Sequence, residues 1–202
     1  MKEFDQLSVD QASSQVFIRH ATLADLSTVY PPPYARQAKT IASLATCFAM
    51  SRRHRDNIWS IFDTKTTALR GFYAMLMLSS SGLAALLNGR FLAAMPDTAH
   101  TATTGDSIAG IYKWGVFAPG RAAGAIPQIA VMLRGEPFAR ANLYGTAATP
   151  AGERIMRTLG FENRSDPKTP DLLEYVRMAN RPGSQPNHDQ DQSHQTGDRT
   201  DA

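Results

Sequence analysis

Residues 115–127 combine small side chains, one arginine and two prolines between two apolar runs. The runs, 108–116 and 126–133, predict a strand that leads through a glycine-containing loop into a helix. Backbone N–H groups at such a junction lack partners, and the helix dipole adds positive potential, so anions are attracted there. Arg121 adds a fixed charge among side chains small enough for a phosphate to reach the backbone. The segment predicts a site for a phosphorylated cofactor; an ordinary turn with an exposed arginine is the alternative.

Composition indicates one globular domain. The chain has 202 residues, of which 43% are hydrophobic and 19% charged, enough to bury a core. Its net charge of +3 suits an anionic cofactor but is too small to indicate a nucleic-acid partner. We expect a loose lead-in over 1–15, a domain over 16–180, and a disordered tail over 181–202, whose polar residues have little to bury.

Several classes of protein are disfavoured by what the sequence lacks. The single cysteine, Cys47, excludes an internal disulfide and is expected to be a small core residue. The five histidines lack the spacing of metal ligands, so no metal is expected. The start of the chain does not resemble a signal peptide, and no apolar stretch approaches the ~20 residues that span a bilayer. We therefore expect a cytoplasmic protein that does not enter a membrane.

The hydrophobic pattern predicts alternating strands and helices. Thr22 is expected to cap a helix, Thr149 and Pro150 to begin another, and Gly160 to end that one. The predicted strands cover 16–19, 57–63, 68–78, 108–117, 141–146 and 172–178. The predicted helices start near 22 and cover 36–52, 82–89, 127–134 and 150–159. An α/β fold follows.

Three segments, in this order of elements, resemble the GNAT family of acyl-CoA-dependent N-acyltransferases. Residues 17–26 are similar to its opening strand and helix start, 69–73 to its third strand, and 151–161 to its last helix, which ends in Gly-Phe. The resemblance covers 16–178 and implies a central mixed, mostly antiparallel sheet flanked by helices. It further implies acetyl-CoA or another acyl-CoA as cosubstrate, a small-molecule or protein amine as acceptor, and a homodimer as one assembly.

The family's cofactor signature, Gln/Arg-x-x-Gly-x-Gly/Ala, is matched at Arg121 and Gly124, whereas Ile126 departs from it. The resemblance implies that the strand 112–116 splays from 141–146 and that the pantetheine arm of CoA lies in the gap. The implied cofactor-binding residues are Val116, Phe117, Ala118, Arg121, Ala122, Ala123, Gly124, Ala125 and Ile126.

Two positions that hold catalytic residues in the family are occupied by other residues here. Its helix tyrosine, the general acid for the leaving thiolate, corresponds to Met156, and its helix-start asparagine to Thr149. Met156 has the spacing of a core residue. Tyr144 is the first substitute acid and Tyr112 the second; ordinary sheet tyrosines, with solvent as the proton source, are the alternative.

No carboxylate in the strand that precedes the loop presents itself as the general base. His100 and Asp106 could act there through water, or could be solvated loop residues. Three functions stay open: an N-acyltransferase, a GNAT-like module that binds acyl-CoA or a protein without turnover, and an unrelated α/β protein. We expect the segment 79–104 to shape the acceptor side in the first case.

Overall fold

A computed structural model describes residues 15–30, 42–177 and 180. Its strands are β1 (Val16–His20), β2 (Ile58–Asp63), β3 (Leu69–Leu78), β4 (Gly110–Phe117), β5 (Leu143–Gly145), β6 (Glu162–Asn163) and β7 (Leu173–Tyr175). Its helices are α1 (Leu23–Val29), α2 (Leu44–Arg53), α3 (Ser80–Leu87), α4 (Ala125–Met132) and α5 (Pro150–Thr158). The predicted lead-in, except residue 15, and the predicted tail lie outside the described residues.

The strands form a 7-stranded sheet in the order β1-β2-β3-β4-β5-β7-β6. Neighbouring strands are antiparallel except β4 and β5, which are parallel. A mixed, mostly antiparallel sheet flanked by helices was expected, and this fold class is confirmed.

The central strand β3 shows how the sequence builds two cores. Side chains alternate across a strand, so successive residues face opposite sides of the sheet. Phe72, Ala74, Leu76 and Leu78 pack with residues of α1, α2 and α3. Tyr73, Met75 and Met77 pack with residues of α4 and α5 on the other face. We refer to these as the α3 face and the α5 face.

Local capping fixes the helix starts as predicted. The hydroxyl of Thr22 accepts a hydrogen bond from the Asp25 amide at 3.2 Å, and the Asp25 carboxylate accepts one from the Thr22 amide at 2.8 Å. Thr149 caps α5 in the same way, accepting from the Gly152 amide at 3.0 Å. Gly160 follows α5 with a φ of 92°, the left-handed conformation expected of a glycine that ends a helix.

Several predicted boundaries were wrong. Helix α2 begins at Leu44 because Ser43 caps it, and the predicted portion 36–41 lies outside the described residues. Helix α4 begins at Ala125 rather than 127, because a proline is accommodated in the first turn, where its missing N–H is not needed. Strands β5 and β7 are shorter than predicted, and β6, only two residues long, was not predicted.

Candidate functional site

The parallel strands β4 and β5 separate at one point. Their pairing joins Ile111 to Leu143, Tyr112 to Tyr144 and Lys113 to Gly145, where β5 ends. Strand β4 continues to Phe117 and is paired beyond Lys113 only with β3. One backbone edge of β4 is therefore left unpaired by β5, which agrees with the gap that the resemblance implies. We call this opening the fork.

A β-bulge lies at the fork. Ala74 of β3 pairs with Gly115 and the next residue, Met75, with Lys113, so Trp114 is the additional residue in β4. Bulges bend a strand and increase its twist, and they are frequent beside active sites. The bulge turns β4 as its pairing with β5 ends.

Beyond the fork, β4 leads into a 3-10 turn, Gly120–Gly124, and then into α4. Gly120 has a φ of 53°, which favours glycine, and a Cβ there would meet no atom within 4 Å. Arg121 is exposed, and no hydrogen bond or ion pair to its guanidinium is formed within the described ranges. An anion could reach this turn without displacing a protein partner.

The amides of the turn are not all available. Ala122 donates to the Pro119 carbonyl at 3.0 Å, and Ala125 donates to the carbonyls of Ala122 and Ala123. The amides of Ala122 and Ala125 are therefore already bonded within the protein and are not free to bind an anion. Both residues are also buried, packed with Val16 in a small core beneath the turn.

The other predicted cofactor residues are distributed around the turn. Val116 packs with the core of the α5 face, Phe117 with that of the α3 face, and Ala118 against the core beneath the turn. Ala123 and Gly124 are exposed, and Ile126 is half-buried. The structure thus brings the predicted cofactor segment to the end of β4, beside the fork.

The two predicted acids, Tyr112 of β4 and Tyr144 of β5, are paired with each other, and both side chains lie on the α3 face. The next residues along the two strands, Lys113 and Gly145, face the other side of the sheet. The Tyr112 hydroxyl is 3.1 Å from the Thr146 hydroxyl, and burial raises the pKa of Tyr112. Burial, together with the Glu174 carboxylate, raises the pKa of Tyr144 to about 12. Both phenols are therefore held in the neutral form, and Tyr112 is the one bonded to a residue just beyond the end of β5.

Lys113 is a site residue that the sequence motifs did not identify. Its side chain crosses Gly145: a Cβ built on that glycine would lie 3.1 Å from both the Cβ and the Cε of Lys113. Burial lowers the pKa of its half-buried ammonium to about 8. A signal was present, since Lys113 is the one charged residue in the strand sequence GIYKWGVF.

Met156 lies on the α5 face beside Lys113. It is 3% exposed, and its methyl group would lie 3.0 Å from a Cβ on Gly145. Its expected place in the core is confirmed. Thr149, at the position of the family's asparagine, caps α5. Both residues therefore have structural roles here.

His100 and Asp106, the predicted bases, occupy different places. The His100 ring lies 6.1 Å from Phe91, whose ring lies 5.5 Å from that of Tyr112 on the α3 face. Asp106 accepts from the amide and hydroxyl of Thr103, and these hydrogen bonds lower the pKa of its carboxyl. Phe91 therefore lies close to both His100 and Tyr112, whereas the Asp106 carboxylate is bonded within its own loop.

The segment between α3 and β4 packs beside the fork. The Trp114 indole donates to the Ala93 carbonyl at 2.6 Å, which joins this segment to the bulge. Leu92 and Met95, on the same segment, are 64% and 71% exposed. An apolar surface is thus presented next to β4 on the α3 face.

In the ranges that the structure describes, no three His, Cys, Asp or Glu side chains come together to hold a metal ion. The thiol of Cys47 is half-buried, and burial raises its pKa to about 11. Among the helices of the described residues, none has the length and hydropathy to cross a bilayer. Comparison of the chain with protein-family models, curated proteins and solved structures finds no match.

Proposed function

We propose that this protein is an acyl-CoA-dependent N-acyltransferase that transfers an acetyl or other acyl group from CoA to an amine. The observation that carries the proposal is the fork. A strand edge that β5 leaves unpaired at 114–117 runs directly into a glycine turn and a helix start. An extended chain bearing amides can pair with such an edge as an added strand would. The pantetheine arm of CoA has this chemistry.

The turn that follows suits the other end of CoA. In the described residues, no backbone hydrogen bond uses the amides of Gly120 or Arg121, and the guanidinium of Arg121 is accessible to solvent. Two amides and a guanidinium beside the start of α4 form a site for a pyrophosphate. The distance between fork and turn is spanned by β4 itself, so one ligand can contact both.

The acceptor amine would approach from the α3 face. There the segment that contains Leu92 and Met95 covers β4 beside the bulge. An amine that arrives deprotonated can attack a thioester held at the fork with proximity as the main source of rate. His100 lies on the same α3 face, against Phe91, whereas the Asp106 carboxylate is bonded to Thr103 in its own loop.

Calorimetric titration with acetyl-CoA and with desulfo-CoA tests the proposal. Both should bind, and Arg121→Ala should weaken both by about 1.5–3 kcal/mol, or roughly 10- to 150-fold in Kd. Arg140→Ala is the matched control, because Arg140 is a surface arginine beyond the far end of α4, with one ion pair to Glu136 at 3.7 Å. Absence of binding, or equal losses in the two variants, contradicts the assignment.

A second candidate, a GNAT-like module that binds acyl-CoA without turnover, is favoured by Met156. This residue occupies the position of the family's tyrosine and is fully committed to the core at 3% exposure. The two candidates differ in one measurement. Release of free thiol from acetyl-CoA, followed across a panel of primary amines, identifies the transferase, whereas binding with no thiol release identifies the module.

A further inference from the structure

The strongest unassigned feature of the molecule is the ammonium of Lys113 at the fork. Lys113 is the last residue of β4 that pairs with β5, and the bulge begins at the next residue. Its stem lies against Gly145, the last residue of β5. The lysine therefore stands where the gap between the strands opens, on the α5 face.

No group among the described residues neutralises this ammonium. Within the ranges 15–30, 42–177 and 180, the side chain of Lys113 forms no hydrogen bond and no ion pair. Leaving a charge half-buried and unpaired is costly, because the lost hydration is not replaced. A cation retained under these conditions suits a negative charge that a ligand brings.

The charged groups of the helices on the α5 face, and the tyrosines of the strands beside β4, offer Lys113 no negatively charged partner. On α5, Glu153 is bound to Arg157 at 2.8 Å, and both are exposed to solvent. Helix α4 carries no charged residue. Of the tyrosines on the paired strands, Tyr73 of β3 shares the α5 face and is kept neutral by burial, which raises its pKa. Tyr144 of β5 faces the opposite side.

We propose that Lys113 is a catalytic residue whose ammonium pairs with the sulfur of CoA as the acyl group leaves and so stabilises the departing thiolate; this rests on the proposed function. The acceptor nitrogen forms a bond to the thioester carbon, and its extra proton passes to water. The C–S bond breaks, and the sulfur takes the electron pair and leaves as a thiolate beside the Lys113 ammonium. The thiolate takes a proton from water as CoA departs, so charge and atoms balance.

The charges of the two groups are complementary. Burial lowers the pKa of Lys113 to about 8, so its side chain is still mostly protonated at neutral pH. A thiolate beside the ammonium compensates for the hydration that burial removes and favours the charged form of both groups. The phenols of Tyr112 and Tyr144 have raised pKa values and lie on the α3 face, so neither offers a positive charge to a sulfur on the side of Met156.

The test uses free CoA as the probe, because it needs no acceptor. The ultraviolet absorbance of the thiolate, measured as the difference between the CoA and desulfo-CoA complexes, gives the pKa of the bound thiol as pH is varied. A cation at contact distance should lower this pKa by about 1–3 units. K113M should bring the value back to about 8.5 or above, whereas K113R, which keeps the charge, should preserve the decrease.

Lys168→Met is the matched control. Lys168 is an exposed lysine whose Nζ lies 3.4 Å from the Asn88 amide oxygen, and its loss should leave the thiol pKa unchanged. Because K113M removes a charge from a half-buried position, we expect its melting temperature to equal or exceed that of the wild type. If K113M does not fold, the wild type decides, because a bound-thiol pKa of about 8.5 or above overturns the proposal.

The other outcomes separate this inference from the proposed function. Binding of CoA with the same thiol pKa in wild type and K113M overturns the role of Lys113 and leaves the proposed function standing. Absence of binding of both CoA and desulfo-CoA overturns both. Acetylation of the Lys113 amine during incubation with acetyl-CoA, detected by mass spectrometry, also overturns the role, because the amine would then be a nucleophile rather than a cation that stabilises the thiolate.

Discussion

His54 should make the fold sensitive to mild acid. Its side chain is 2% exposed, and its Nδ1 accepts a hydrogen bond from the Asp56 amide at 3.3 Å. An accepting Nδ1 carries no proton, so the buried ring is neutral. Burial lowers the pKa of His54, and Arg55 and His20 lower it further; Asp56 and Asp106 oppose them without reversing the direction.

The sign follows from proton linkage. Because the pKa of His54 is lower in the folded protein than in the unfolded chain, the unfolded chain binds a proton first as pH falls. The stability that neutral His54 contributes is therefore fully present above pH ~6.5. It is lost as the pH decreases toward the pKa of His54 in the folded protein. One proton limits the slope to about 1.4 kcal/mol per pH unit.

Urea unfolding at pH values of about 7.5, 6.5, 5.5 and 5.0 measures this loss of stability. His54→Asn is the comparison variant, because its side-chain oxygen can accept from the Asp56 amide but does not titrate. Relative to the variant, the wild type should lose up to ~1.4 kcal/mol of unfolding free energy for each pH unit below ~6.5. Parallel curves from pH 7.5 to 5.0 would refute the assignment of a buried neutral imidazole.

Two further substitutions test the packing that positions the site. Gly71→Ala places a Cβ 2.0 Å from the Phe117 carbonyl oxygen. We expect the free energy of unfolding in urea to fall by about 1–3 kcal/mol and acetyl-CoA to bind more weakly. Unchanged binding would mean that the end of β4 does not position the ligand. Asn57 is fully buried and donates to the Met50 carbonyl at 2.8 Å while accepting from the Met77 amide at 3.0 Å. Asn57→Leu leaves the Met50 carbonyl and the Met77 amide without a hydrogen-bond partner, so the free energy of unfolding should fall by about 2–4 kcal/mol. A loss under ~1 kcal/mol would show that water or a shift of α2 replaces the lost hydrogen bonds.

Features that depend on neighbouring residues were predictable from the sequence. Thr22 and Thr149 cap helices because a threonine hydroxyl satisfies an amide three residues later, which requires no distant contact. Gly160 ends α5 because glycine tolerates a φ of 92°. The order of the strands and helices was also predictable, because the hydrophobic periodicity of each segment depends only on its own residues.

Features that depend on strand pairing were not predictable in detail. The end of β5 is set by its pairing with β7, since Gly145, the last residue of β5, pairs with Leu173, where β7 begins. Strand β6, only Glu162–Asn163, has no hydrophobic alternation and exists because β7 lies beside it. No pattern within either segment carries this information.

The side on which the candidate acids lie depends on a single residue step. Tyr112 and Lys113 are adjacent, so they face opposite sides of the sheet, and the pairing of Tyr112 with Tyr144 places both phenols on the α3 face. The sequence supplied the tyrosines and their nearness to the gap, but not this register. Residue types alone do not show on which side of the sheet a proton donor lies.

The same register explains why a lysine at 113 and a methionine at 156 belong together. The end of Met156 and the stem of Lys113 both lie within 3.1 Å of the point where a Cβ of Gly145 would be. A tyrosine at 156 is bulkier and rigid, and it would meet the lysine stem over that glycine, whereas the slender methionine leaves room for it. A side chain that assists the leaving sulfur at the fork can therefore come from α5 or from β4 but not from both, and our proposal places it on β4.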